Sequence, residues 1–281
     1  MFRTRFAPSP TGPLHLGHAY SALVAFDTAQ AAGGEFLLRI EDIDRARAKD
    51  AWERQIYDDL TWLGLTWPQP VMRQSDRQPA YDAALDALWD QGLLYPCRCS
   101  RADIAAAASA PQEGAPLLGP DGVIYPGTCR DALPRTGPRP QGVTLRLDME
   151  RAVRGIDAVG FTETGTHSAA VSITAEHLVQ EVGDVVLARR DMGTSYHLSV
   201  VLDDAAQQII HVTRGEDLFD ATSIHVLLQR LLGLPHPVYH HHRLIRDDAG
   251  KRLAKRDDAR AISLYRSEGM SPADMRSILG L

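Results

Sequence analysis

The chain has no run of about 18 apolar residues, so no segment reads as a membrane span. It also lacks the apolar core of a secretory leader: Pro8 and Pro10 interrupt the first apolar residues. A cytoplasmic location is therefore expected, with no membrane partner. Cysteine is scarce. Cys97, Cys99 and Cys129 are the only three, and an odd number argues against a disulfide framework. A Cys-x-Cys pair with a distant third suits a reducing compartment and a metal. Positive charge is short as well. The formal net charge is −6, which excludes general adhesion to nucleic acid and leaves only a local patch for polyanion contact. Internal repeats are missing.

What is there is an ordinary globular balance, 44% hydrophobic and 23% charged over 281 residues, about two domains' worth of chain. Residues 2–7 read as a strand, 8–13 as a Pro/Gly turn, 17–32 as a helix closed by Gly33-Gly34, and 35–40 as a second strand. That order predicts a parallel βαβ unit. Helices follow on the faces of Trp52, Ile56, Leu60 and Leu63 and of Tyr81, Leu85 and Leu88. Residues 93–140 hold all three cysteines and much of the Pro and Gly, and read as an inserted module of irregular backbone. Strands are predicted at 143–147, 185–188 and 209–212. Helices are predicted at 196–207, through Ile224, Leu227, Leu228 and Leu231, and from an N-cap at Ser271 with Pro272 in the first turn. The basic patch lies at 243–260, with seven Lys/Arg against four Asp.

The chemistry concentrates in a few segments. Arg5-Phe6-Ala7-Pro8-Ser9-Pro10-Thr11-Gly12 leads into His15-Leu16-Gly17-His18 at the start of a helix. A helix N-terminus offers N–H groups and partial positive charge to a phosphate. Imidazole N–H donors there stabilise charge that develops in a transition state. Gly17 lets a flat ring approach the backbone. A capped helix with two incidental histidines would look the same on that tetrapeptide alone. The whole segment, however, resembles the signature of class I aminoacyl-tRNA synthetases of the glutamyl and glutaminyl type, with its RFAPSPTG stretch and HIGH tetrapeptide. Leu38-Arg39-Ile40-Glu41-Asp42-Ile43-Asp44 is similar to the same group's RIEDTD.

Further matches follow. Gly250-Lys251-Arg252-Leu253-Ala254-Lys255-Arg256 resembles the KMSKS loop, with Lys255 at the more critical lysine and Arg252 and Ala254 in place of the first lysine and the serine. Lysines on such a loop clamp a triphosphate as pyrophosphate leaves. Tyr196-His197-Leu198-Ser199 through Asp203-Asp204, then Arg214-Gly215-Glu216-Asp217, resemble the glutamyl-type YHLANVVDD and RGED segments. The resemblance implies that Tyr196 and Arg214 line an amino-acid pocket. Arg5 and Arg214 are planar donors suited to a carboxylate. Glu41 can accept from an ammonium, and Ser9 and Tyr196 add hydroxyls. An ordinary ion pair of Arg214 with Glu216 or Asp217 is the plain alternative, and Asp203 and Asp204 read as residues that cap or hinge an element.

From spacing alone the cysteines fit zinc, three buried thiols, or zinc closed by water or a histidine. A truncated group of glutamyl-type synthetases carries a Cys-x-Cys…Tyr-x-x-x-Cys zinc set. That resemblance implies one structural Zn²⁺ per chain on Cys97, Cys99, Tyr125 and Cys129, across a long loop of 25 residues between Cys99 and Tyr125. Only 25 residues follow Arg256.

The expected fold is therefore α/β: a Rossmann-like class I synthetase catalytic domain with an inserted zinc-binding module, a short helical tail and no anticodon-binding domain. Its segments are 1–92 and 184–235 for the two catalytic halves, 93–183 for the insert, and 236–281 for the lysine loop and tail. The implied activity is that of the truncated group. Glutamate is activated with Mg²⁺-ATP without tRNA and passed to the cyclopentenediol of queuosine in tRNA(Asp). His15, His18 and Lys255 are the expected catalytic residues. Gly17 and Arg252 join them in holding ATP, and Arg5, Ser9, Glu41, Tyr196 and Arg214 hold glutamate. The protein is expected to be a monomer. Two alternatives remain: a short glutamyl- or glutaminyl-tRNA synthetase charging the 3′ end, and a catalytically idle binding paralogue.

Overall fold

The computed structural model describes residues 1–108, 118–132, 135–245 and 260–281, without the side chains of Arg101 and Ala108. The chain opens with β1 (Arg3–Phe6), α1 (Leu16–Ala31), β2 (Glu35–Ile40), α2 (Asp50–Trp62), β3 (Met72–Arg73) and α3 (Gln78–Asp90). β1, β2 and β3 run parallel, with Arg5 opposite Leu37 and Ile40 opposite Arg73. Parallel neighbours need a crossover, and α1 supplies it. Ala19, Ala22, Ala25 and Ala29 bring α1 close to the sheet, and Thr4 Oγ1 donates to the Ala25 carbonyl at 2.7 Å.

The next segment holds β4 (Leu94–Cys97), α4 (Arg101–Ala108), β5 (Leu118–Gly119), β6 (Gly122–Val123), β7 (Thr144–Leu147), α5 (Met149–Ala152), β8 (Ala158–Glu163), β9 (Ala169–Thr174), the single turn α6 (Ala175–His177) and β10 (Val186–Ala188). β4 and β10 flank β7 in an antiparallel sheet. β5 and β6 form a small hairpin. Then follow α7 (Tyr196–Ala206), β11 (His211–Gly215), α8 (Thr222–Leu231), β12 (Val238–His242), α9 (Ile262–Ser267) and α10 (Pro272–Leu279).

β11 and β12 are parallel, from His211 opposite Val238 to Gly215 opposite His242. β8 extends that sheet in parallel beside β12, with Tyr239 opposite Glu163, and β9 closes it antiparallel. The β8–β12 join needs close backbone approach: a Cβ on Gly165 would collide with the His241 carbonyl oxygen. β1 lies beside β11, where Ile210 N donates to the Arg3 carbonyl at 3.3 Å. Strand order thus reverses between β1 and β11. In doubly wound sheets such a switch point, at the carboxyl ends of the strands, opens a crevice.

Secondary-structure pairing crosses the segment boundary expected at residue 183. β8, expected within the insert, joins the sheet of β11 and β12, and β10, expected in the catalytic half, pairs with β7. The tail packs rather than dangles. Ser271 caps α10 through Asp274, Met275 and Leu279 are buried against the α1 side, and Arg276 grips Asp27 of α1 at 2.7 and 2.9 Å.

One buried group works against the fold. Asp59 of α2 is 1% exposed, and its Oδ2 has no partner among the described residues. Burial raises its pKa to about 6, with Arg266 opposing and Asp58 adding. The unfolded chain releases this proton near pH about 3.9. Between those values the folded state binds more protons, so stability falls as pH rises from about 4 to 6. Asp59→Asn is expected to raise the melting temperature at pH 7.5 and to flatten its fall between pH 4 and 7. An unchanged pH slope in thermal melts of the variant would refute this role.

Candidate active site

The crevice at the switch point is a cavity of about 510 Å³. One end is formed by the start of α1. His15 is its N-cap, and the Nδ1 of His15 accepts from Gly17 N at 3.2 Å. His18 Nδ1 accepts from His15 N at 3.1 Å, which completes a capping box made of two imidazoles. With Nδ1 accepting in each ring, the proton of each neutral imidazole sits on Nε2. The rings lie 3.8 Å apart. A Cβ on Gly17 would come within 3.1 Å of His15 Cε1, so glycine is what allows the ring to lie there.

Beside α1, β12 ends at His242. Its Nδ1 donates to the Arg243 carbonyl at 2.9 Å, which leaves Nε2 to accept from Ser21 Oγ at 2.5 Å. Burial lowers the pKa of His242, so the neutral form is the one present at neutral pH.

The other end is built on buried charge. Arg5 of β1 donates from Nε and Nη2 to the two oxygens of Asp204, at 2.9 and 3.3 Å, and from Nη1 to the Thr213 carbonyl at 3.2 Å. Arg39 of β2, fully buried, donates to Asp204 Oδ1 at 2.7 Å and to Glu41 Oε1 at 3.1 Å. One carboxylate on α7 therefore carries two guanidiniums. Burial opposes ionisation of Asp204, but Arg5 and Arg39 outweigh it and lower its pKa. Glu41 goes the other way: burial outweighs Arg39 and Arg5 and raises its pKa. Tyr196, at the first turn of α7, has its phenol pKa raised by burial.

Arg214 of β11 is buried between two histidines. Its Nε donates to His241 Nε2 at 3.1 Å and its Nη1 to His225 Nδ1 at 2.9 Å. Its Nη2 donates to Thr222 Oγ1 at 2.6 Å and to the Leu218 carbonyl at 3.3 Å. His241 Nδ1 in turn donates to Glu163 Oε2 at 2.5 Å. Burial and the Arg214 charge lower the pKa of both His225 and His241. Both are neutral, and the positive charge of this corner resides on Arg214.

The cavity lining brings together Arg5, His15, Gly17, His18, Glu41, Tyr196 and Arg214. Ser9 is not brought in. Glu41 N and Lys49 N bond the carbonyls of Pro8 and Pro10 at 3.0 Å each, and Ser9 between them faces solvent. Lys255 and Arg252 lie outside the described residues. Arg5 also departs from expectation: its Nε and Nη2 are taken by Asp204. Sequence reading missed Arg39, Asp204, Ser21, His225, His241, His242 and Glu163. Two adjacent acids inside the apolar face of α7 were the available signal for Asp204.

The second expected site lies at the end of β4. The sulfurs of Cys97, Cys99 and Cys129 lie within 4.8 Å of one another. Tyr125 Oη is 3.5 Å from the Cys97 sulfur and 3.3 Å from that of Cys99, and the Cys99 and Cys129 sulfurs are 3.5 Å apart. A tetrahedral ion with bonds of about 2.3 Å to sulfur and about 2.0 Å to oxygen sets S···S near 3.8 Å and S···O near 3.5 Å. These three separations lie close to those values. Burial opposes the Cys129 thiolate, but hydrogen bonding with Tyr125, Arg98 N and the other cysteines brings its pKa down to about 7. Arg146 stacks 3.9 Å over the Tyr125 ring. A three-cysteine cluster able to hold a metal ion is thus in place.

A switch-point cavity with an imidazole-capped helix at one end and buried arginines at the other is the design of a class I synthetase catalytic domain. The chain matches the family of class I tRNA synthetases (E and Q), catalytic domain, over residues 1–118 and 149–281. It is 68% identical over 280 residues to the glutamyl-Q tRNA(Asp) synthetase of Rhodobacter capsulatus, covering 99% of each chain. It is 42% identical over 278 residues to that of Symbiobacterium thermophilum, covering 95% of this chain and 82% of that one. Among solved structures, a glutamate tRNA ligase from Elizabethkingia meningosepticum in complex with its amino acid superposes at a TM-score of 0.73 and 27% identity. That match covers 96% of this chain and 58% of that longer one. A methionyl-tRNA synthetase from Mycobacterium tuberculosis shares the fold at a TM-score of 0.63 and 11% identity, over 99% of this chain and 63% of that one. The chain belongs to the glutamyl-Q tRNA(Asp) synthetase family.

Asp204→Asn tests the electrostatic foundation of the site. It leaves two buried guanidiniums with one counter-charge fewer and is expected to cost about 3–5 kcal/mol in denaturant unfolding. A loss below about 1 kcal/mol, the range of an exposed pair, would show that Asp204 does not carry the site.

Proposed function

We propose that this protein activates L-glutamate with ATP and transfers it to queuosine in the anticodon of tRNA(Asp), the substrate contained in its relatives' name. The observation that carries the reading is the single cavity that sets Arg214 and Glu41 opposite His15 and His18. Arg214, with its charge unneutralised by the imidazoles around it, binds the side-chain carboxylate of glutamate. Arg5, positioned by Asp204, and Tyr196 complete the walls. Glu41 accepts from the substrate ammonium, whose charge favours the ionised carboxylate that burial disfavours.

The α-carboxylate oxygen then attacks the α-phosphorus of ATP. The P–O bond to the β-phosphate breaks, and pyrophosphate leaves. His15 and His18 donate from Nε2 to phosphate oxygens as charge shifts onto them. Gly17 leaves room for the nucleotide beside His15. Mg²⁺ accompanies the triphosphate and offsets its charge. Lys255 and Arg252 belong to the 246–259 segment; Ile245 on one side of it lines the cavity, and Ala261 on the other pairs with His15. In this reading these two cations offset the charge of the leaving pyrophosphate. In the second step a cyclopentenediol hydroxyl attacks the acyl carbon, AMP leaves, and the hydroxyl proton passes to solvent or phosphate. Positioning supplies most of the rate, and no protein group becomes acylated.

One Zn²⁺ is held by Cys97, Cys99, Cys129 and the Tyr125 oxygen. Four protein ligands close the shell, so the ion is structural. The segments that hold it, β4 and the β6–Cys129 stretch, are tied to the body by Asp184. Asp184 accepts from Tyr95 Oη at 2.5 Å, Arg130 Nε at 3.0 Å and Met149 N at 2.8 Å.

Pyrophosphate exchange into ATP is expected with glutamate alone, without tRNA, and not with glutamine or aspartate. Labelled glutamate is expected to pass to tRNA(Asp) that contains queuosine and not to tRNA(Asp) that lacks it. Exchange that waits for tRNA(Glu) or tRNA(Gln) would instead identify a 3′-end charging enzyme. Elemental analysis is expected to find one zinc per chain, and less than half of that in Cys97→Ser. Wild-type protein without zinc would remove the metal assignment.

A further inference from the structure

Arg214 is held by two arms, and only one of them stays within the main sheet. That arm is His241–Glu163, where Glu163 Oε1 also accepts from His241 N at 2.9 Å and Gly165 N at 2.6 Å. The second arm leaves the sheet. A guanidinium only donates, so His225 Nδ1 accepts from Arg214 Nη1 and the His225 proton is on Nε2. His225 Nε2 faces His197 Nδ1 at 3.1 Å and must donate to it. The His197 proton is then on its own Nε2, which lies 3.3 Å from Asp121 Oδ1. The two hydrogen bonds of the series Arg214–His225–His197 run in one direction, with no donor facing a donor, and the Asp121 carboxylate stands at ion-pair distance from the last ring. Arg214, His225 and His197 are buried.

Asp121 is the outlier. It sits in the turn between β5 and β6, in the inserted segment, and its side chain is 39% exposed. The hairpin tip also closes a second cavity of about 180 Å³, lined among others by Pro120, Asp121, Ser195 and His197. This cavity shares Tyr196 and Leu218 with the main one. Leu218 supplies the carbonyl that accepts from Arg214 Nη2. The tip of the insert therefore meets the substrate end of the main cavity through a carboxylate–imidazole contact and through shared walls.

We propose that Asp121, His197 and His225 are positioning residues for glutamate: the insert's hairpin sets the plane of the Arg214 guanidinium through two imidazoles. The proposal rests on the reading of Arg214 as the glutamate-carboxylate ligand. A carboxylate at the far end of two polarised imidazoles makes His225 a better acceptor. It also fixes the tilt of the planar guanidinium and so the direction of the Nη1–H left for a ligand. Without Asp121, His197 is released to solvent and His225 loses its second anchor. The guanidinium keeps its charge and its bonds to His241, Thr222 and Leu218, and its Nη1 side loses the restraint that set its tilt. Glutamate binding weakens while the phosphate end of the cavity is untouched.

The test is steady-state pyrophosphate exchange on the full chain, with Asp121→Ala, His225→Phe, the double variant and Arg214→Lys. Asp121 is on an exposed turn, so its replacement keeps the fold, which a melting curve checks. In Asp121→Ala the KM for glutamate is expected to rise about two- to fivefold, the scale of one lost contact to a partly exposed carboxylate. The kcat and the KM for ATP are expected to stay within twofold. The double variant is expected to match His225→Phe alone, since the two residues act in series. An unchanged glutamate KM in Asp121→Ala, alongside a large rise in Arg214→Lys, would overturn the relay and leave the site reading intact. Equal losses in kcat and both KM values would also overturn it, as general disruption. An unchanged glutamate KM in Arg214→Lys would sink the reading of Arg214 and the relay with it.

Discussion

Asp204 carries two buried arginines, and the substrate end of the cavity is arranged around that fact. A buried guanidinium without a counter-charge costs several kcal/mol, so Arg5 and Arg39 can point inward only because α7 presents a carboxylate between them. Asp204 ties together three elements distant in sequence: β1 through Arg5, β2 through Arg39, and α7 itself. Its neighbour Asp203 repeats the device on the other side of α7. It accepts from Gln74 at 2.9 Å, Tyr81 at 2.8 Å and Arg77 at 3.2 Å, and so anchors α3. Consecutive acids thus fix one helix against both of its flanking layers. The remaining charge decides what the cavity favours. Two guanidiniums on one carboxylate leave an excess of positive charge, and Glu41, raised in pKa by burial, offsets it only in part. An anionic ligand with one ammonium group completes the balance.

The phosphate end follows a different rule. Charge is offered there by a helix terminus and by rings whose Nδ1 atoms are engaged by backbone. His15 and His18 each spend Nδ1 on an N–H at the start of α1, which fixes the ring direction without adding formal charge. His242 is set in the same way by the Arg243 carbonyl. Neutral donors of fixed direction suit a group whose charge moves during reaction, because they need no reorganisation as it moves.

The local signals read correctly from sequence were those with short-range causes. The β1–loop–α1–β2 order, the glycine stops, and the Ser271 cap with Pro272 need only neighbouring residues. What was missed depended on distant partners. β12 reads Val238-Tyr239-His240-His241-His242, and three histidines in a row do not announce a strand. His241 is inside because Glu163 and Arg214 are there to receive both of its nitrogens. β8 and β9 alternate as an exposed hairpin does, yet β8 is the strand that extends the main sheet, a placement that only β12 decides. Ser9 lies inside a motif, where the prolines on either side turn their carbonyls to Glu41 and Lys49 and the residue itself is exposed. Asp204 was visible as a residue and invisible as a role, since nothing in the sequence shows that two arginines 34 positions apart converge on it.

The two arginines expected to act alike are electrostatically different. Arg5 shares Asp204, so an incoming carboxylate meets a cation already half neutralised. Arg214 is surrounded by acceptors that carry no net charge: two imidazoles, a hydroxyl and a carbonyl. Had either imidazole been protonated, it would have repelled Arg214 and could not have accepted from it. Burial and the guanidinium itself keep both neutral. The carboxylates that orient them, Glu163 and Asp121, sit one and two rings away, far enough to polarise without pairing. Arg214 therefore keeps its full charge and has its direction fixed, which is what recognition of a carboxylate requires. Under the proposed reading the glutamate carboxylate belongs at Arg214, and Arg5 serves as the fixed wall beside it.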